Sequence, residues 1–101
     1  MLVQFSIFPV GKGEELAKSV AEIIDLIDRS KLPYQTTAMS TIVEGNWNEV
    51  FSLIKKCHTA MRKEHNRVYL VITADDRKGA KGRLKGKVND VEKILRRKIK
   101  R

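Results

Sequence analysis

From Leu2 to Phe8 apolar and polar positions alternate, with Val3, Phe5 and Ile7 facing one way and Gln4 and Ser6 the other. A period of two is that of a half-buried strand, and Pro9 ends it. The period then lengthens. Leu16, Val20, Ile23, Ile24 and Ile27 recur at helical spacing, with Glu14 and Glu15 where a helix's first turn favours negative charge. Lys31-Leu32-Pro33 stops this helix, and the β-branched stretch from Tyr34 to Val43 predicts two short strands with a turn near Ala38 to Ser40. Asn46-Trp47-Asn48-Glu49 has the form of a capping box. A second helix follows to about Lys63, presenting Val50, Ile54, Cys57, His58 and Met61 on one stripe, and Arg67 to Ala74 reads as a last strand closed by Asp75-Asp76.

The order β-α-β-β-α-β with right-handed crossovers predicts an α+β fold, a ferredoxin-like antiparallel sheet with both helices on one face. Alternation is expected to place Gln4, Ser6, Thr41, Val43, Tyr69, Val71 and Thr73 on the other face. That mixture is too apolar for bare surface, so a second subunit is expected to cover it. Past the last strand, Gly79, Gly82 and Gly86 interleave with basic residues as a hinge, and Val88, Val91, Leu95 and Ile99 mark a narrow amphipathic C-terminal helix. Residues 1–77 thus form the core, and residues 78–101 a basic appendage of the same domain.

Composition narrows the function. A chain of 101 residues, 42% hydrophobic and 33% charged, accommodates one domain and excludes a two-domain enzyme. It has no apolar run of the roughly 20 residues a membrane span needs and no signal-peptide pattern at its start, so a cytoplasmic protein is expected. Cys57, the single cysteine, allows no internal disulfide or cysteine-based zinc site and reads as a buried small hydrophobe. The net charge of +9 is unevenly spread. Residues 1–76 hold 9 Lys/Arg against 10 Asp/Glu, whereas residues 77–101 hold 12 against 2.

Gly11-x-Gly13 before a helix invites a phosphate-loop reading, but Glu14 and Glu15 occupy the place of the phosphate, which favours a plain turn. Cys57 and His58 point about 100° apart on a helix and His65 lies beyond its end, so no metal site and no catalytic triad is expected. Glu44, between β-branched residues and Gly45, would be held rigidly at a strand end, with Trp47 one turn on. Those two read equally well as ligand groups and as a local cap and a core aromatic. Asp75-Asp76 reads as a strand-ending turn or a cation-attracting pair. The basic tail is either a solvated appendage or a weak, salt-sensitive binder of nucleic-acid phosphates, without an aromatic residue for base stacking.

Met39-Ser40-Thr41-Ile42-Val43-Glu44-Gly45, then Trp47, His58, Arg67-Val68, Asp75-Asp76-Arg77, Lys87-Val88 and Val91-Glu92, resemble in order and spacing the small thiamine-binding protein family, over nearly the whole chain to about Leu95. The resemblance implies a ferredoxin-like fold whose open sheet faces pair into dimers or tetramers, and a non-catalytic site for thiamine or its pyrimidine moiety near the subunit contacts, with no other cofactor. Within it, Glu44 would bind the aminopyrimidine, Trp47 would pack on a ring, Ser6 and Thr41 would supply hydroxyls and Asp76 would balance the thiazolium charge. The chain departs from the family pattern at Ala38, where proline is usual, and at Ser40, where glycine is usual; the latter is expected to restrict φ and reshape the loop near Glu44. The competing readings are a nucleic-acid-associated assembly module acting through its basic segment and, more weakly, an enzyme with Glu44 as general base.

Overall fold

The computed structural model describes residues 1–11 and 16–101; Gly13, Glu14 and Glu15 of the proposed turn and cap lie outside them. The elements are β1 (Leu2–Pro9), α1 (Leu16–Arg29), β2 (Tyr34–Thr36), β3 (Thr41–Glu44), α2 (Trp47–Glu64), β4 (Val68–Asp75) and α3 (Arg83–Leu95). The four strands form an antiparallel sheet in the order β2-β3-β1-β4, the ferredoxin-like arrangement.

Val3, Phe5 and Ile7 of β1 point into the core, where they meet Ile23 and Ile27 of α1 and Val50, Leu53, Ile54, Cys57 and Met61 of α2. The predicted capping box begins α2: Glu49 N–H donates to Asn46 Oδ1 at 2.8 Å, and Asn46 N–H donates to Glu49 Oε1 at 3.0 Å. His58 is exposed rather than on the buried stripe, and Leu53 takes its place. Cys57 is fully enclosed, and burial pushes its thiol up to about 11, well above the range of a reactive cysteine. Across the helix layer, the buried Ser19 hydroxyl lies 2.9 Å from Nε2 of His65, the residue that ends α2.

The phase of β3 differs from expectation. Val43 stands opposite Val3 and Thr41 opposite Phe5, so both face the helices, with 0% and 7% of their surface exposed. Thr-Ile-Val-Glu has no clean alternation. The phase is set by Glu44, whose charge cannot enter an apolar core, and Ile42 turns outward with it. The face turned away from α1 and α2 therefore carries Leu2, Gln4, Ser6, Phe8, Ile42, Glu44, Tyr69, Val71, Thr73 and Asp75.

α3 also departs from its predicted length. Arg96 adopts a left-handed conformation (φ 58°) that ends the helix, and Ile99 lies beyond it on a segment that doubles back to donate its N–H to Glu92 Oε2 at 2.8 Å. The main contact of α3 with the body is on β3, and Val91, Ile94 and Leu95 stay exposed. The molecule is accordingly elongated, 48 × 28 × 21 Å, with a radius of gyration of 15.2 Å, where a compact chain of this length has about 13 Å.

Candidate functional site

The strands flanking β1 have unequal lengths, and a cleft follows from that. The ladder with β4 runs to Pro9↔Val68, whereas the ladder with β3 stops at Phe5↔Thr41. From Ser6 onward, the β1 edge turned away from β4 has no strand neighbour among the described residues. The space beside it, about 300 Å³, is closed by the first turns of α1 and by the β2–β3 turn.

Leu16 and Val20 belong to the apolar stripe of α1, yet 42% and 41% of their surface is exposed, because this end of the helix overhangs the cleft rather than the core. Phe8 and Met39 complete the apolar walls. The polar groups are hydroxyls. Ser6, Thr36, Thr37, Ser40 and Thr41 line the space, with the Thr36 and Thr41 hydroxyls 3.2 Å apart. No charged side chain lines it among the described residues.

The β2–β3 turn is organised by Thr37, whose hydroxyl donates to the Ser40 carbonyl at 3.0 Å and accepts the N–H groups of Met39 and Ser40, both at 3.2 Å. No residue from Thr37 to Ser40 has a positive φ, so serine sits at position 40 without strain. The turn is also at the far end of β3 from Glu44, roughly 10 Å away along the strand, and Ala38 and Ser40 shape the cleft instead.

Of the five residues singled out from the sequence, the structure brings Ser6 and Thr41 together and disperses the rest. Glu44 Oε2 accepts the N–H of Arg83 at 2.9 Å and Oε1 that of Leu84 at 3.1 Å, so this carboxylate caps α3. The helix needs it. Its own N-cap, Gly82, is left-handed (φ 65°) and has no side chain to offer. Trp47 is 62% exposed and packs against Phe51, ring centroids 4.3 Å apart. Asp76 is exposed beyond β4 and makes no hydrogen bond or ion pair among the described residues; Asp75, its neighbour, lines a separate hollow with Glu44. Sequence reasoning missed the contribution of Thr36, Leu16 and Val20. The available signal was the apolar stripe of α1, which begins before the sheet has a strand for it to cover.

Among the described residues, no helix is long and apolar enough to cross a membrane. A sequence model of the family described as "Thiamine-binding protein" matches residues 3–92. A UPF0045 protein of Mycobacterium bovis is 39% identical over 98 residues, covering 96% of both chains. Among solved structures, a hypothetical protein of Methanocaldococcus jannaschii superposes with a TM-score of 0.80 at 28% identity, over 89% of this chain and 93% of that one. A Thermotoga maritima protein, provisionally named for thiamine biosynthesis/salvage, superposes with a TM-score of 0.79 over 89% and 96% of the two chains. At 20% identity the latter likeness speaks for the fold.

Proposed function

Since the chain belongs to the thiamine-binding protein family, we propose that it binds thiamine without transforming it, holding the aminopyrimidine half in the cleft beside β1. The observation that carries this reading is the chemistry of that cleft, which joins apolar walls, hydroxyl side chains and a β1 edge that, among the described residues, has no strand partner and no charged side chain beside it. An aminopyrimidine is flat and uncharged and presents a donor next to an acceptor. A strand edge presents N–H and C=O groups that match such a pattern, and the walls suit the faces of the ring. The cationic thiazolium finds no counter-charge among the described residues of the cleft and would point outward. The name of the Thermotoga maritima neighbour agrees with this ligand class.

Ser6 and Thr41 are then the binding hydroxyls, and Glu44 acts structurally, through α3. Because Ser6 and Phe8 are on the face turned away from α1 and α2, a second copy of the chain pairing on that face would close the outer side of the cleft. Calorimetry with thiamine and with its hydroxymethylpyrimidine precursor tests the reading. Ser6→Ala and Thr41→Val should each weaken both ligands by roughly five- to tenfold, the worth of one hydrogen bond, while Glu44→Gln leaves affinity unchanged. Absence of binding at millimolar ligand, or loss of binding in Glu44→Gln with Ser6→Ala unaffected, would overturn it.

A further inference from the structure

A second hollow, about 170 Å³, lies at the other end of β1, where β1 begins and β3 and β4 end, beneath the first two turns of α3. It has more than ten times the room one water needs. Leu2 and Ala80 give it an apolar floor, and three cations line it: Arg77 from the exit of β4, and Arg83 and Lys87, four residues apart on one side of α3. Two carboxylates also border it, Glu44 and Asp75. Both oxygens of Glu44 are taken by backbone N–H groups. Three side-chain cations therefore line the hollow with two carboxylates, and the oxygens of Glu44 are already turned to the helix N–H groups.

The Arg83 guanidinium is held in place. Its Nη2 donates to Asp90 at 3.2 Å, two turns along the helix. To get there it lies over Gly86, where a Cβ would come within 2.8 Å of Nη1. Glycine in a helix interior costs stability relative to alanine, and here its bare surface seats the arginine. A guanidinium with five donors keeps several free after one contact with Asp90, and Arg77 and Lys87 make no ion pair among the described residues. Fixed guanidinium donors beside a mobile ammonium are the chemistry that recognises phosphate oxygens.

We infer that this hollow is an oxyanion site for a phosphate group, separate from the cleft that accepts the uncharged ring. The test is titration of the full chain with inorganic phosphate and with glycerol phosphate, at constant ionic strength against chloride, read by calorimetry. Saturable binding is expected, weakened roughly tenfold by Arg77→Gln and by Lys87→Gln, as for a lost hydrogen bond to a charged group. Gly86→Ala is the more telling variant. It should raise helix stability on thermal melting while weakening phosphate, because the new methyl displaces Arg83. Equal affinity for glycerol phosphate would assign the site to the end of a phosphorylated metabolite, and preference for inorganic phosphate to the free ion. Heats no different from chloride, binding unchanged in all three variants, or binding of a single-stranded oligonucleotide without binding of phosphate would overturn the inference.

Discussion

Glu92 is a carboxylate with 7% of its surface exposed, on a helix that otherwise touches little. The N–H of Ile99 and the guanidinium of Arg101, the latter at 2.6 Å, hold its carboxyl below the usual carboxylate range, the backbone donor contributing most. Lys98, 3.6 Å away but almost wholly in solvent, adds little. A carboxylate whose value is lowered on folding stabilises the folded form above its unfolded value, about 4.3, and that contribution is lost as pH falls through the lower, folded value. The closing of residues 96–101 over α3 should thus persist at neutral pH and open in acid. Amide resonances followed by NMR should show Ile99 titrating below an ordinary glutamate, and Glu92→Gln should leave Ile99 exchanging freely at pH 7. A Glu92 titration at or above the ordinary value would contradict the clasp.

At the scale of elements, local patterns were readable and distant ones were not. Periodicity, with β-branched content for the two middle strands, placed the strands and helices of the core, and Asn46 with Glu49 revealed the capping box, because each depends on residues close in sequence. Asn46→Ala should cost about 1 kcal/mol, a fall in melting temperature of about 4–8 °C for a domain of this size; an unchanged melt would mean that Glu49 and solvent satisfy the helix end unaided. The phase of β3 was misread because four residues with two adjacent apolar side chains do not define a face. The contact of Glu44 with Arg83 and Leu84 spans some 40 positions and leaves no periodic trace. The cleft was equally hidden. It is a consequence of β3 stopping four residues before β4 along β1, a difference in register that no single segment encodes. Hence Ser6 and Thr41 were identifiable as hydroxyls at a strand, while Thr36, Leu16 and Val20 became neighbours in the cleft only once the sheet was assembled.

At the scale of the molecule, the sheet is half covered. Helices α1 and α2 seal one face, while on the other the Phe8 and Tyr69 rings pack with centroids 5.4 Å apart, and Val71 and Tyr69 remain about half exposed. Val71 stands directly opposite Ser6 and Tyr69 opposite Phe8, so the centre of this apolar surface adjoins the cleft. Burying such a surface is favourable by roughly 25 cal/mol per Å², and a charge placed at its centre would have to be desolvated without a partner. Wild-type protein should therefore sediment as a dimer or larger assembly at tens of micromolar, by order-of-magnitude expectation for an interface of standard size. Val71→Glu should shift it toward monomer with the fold intact by circular dichroism. If pairing closes the outer side of the cleft, the same variant should also bind thiamine more weakly, although residue 71 does not line it. A wild-type chain that sediments as a monomer would remove the second subunit from the site, and an assembled Val71→Glu would move the contact to another surface.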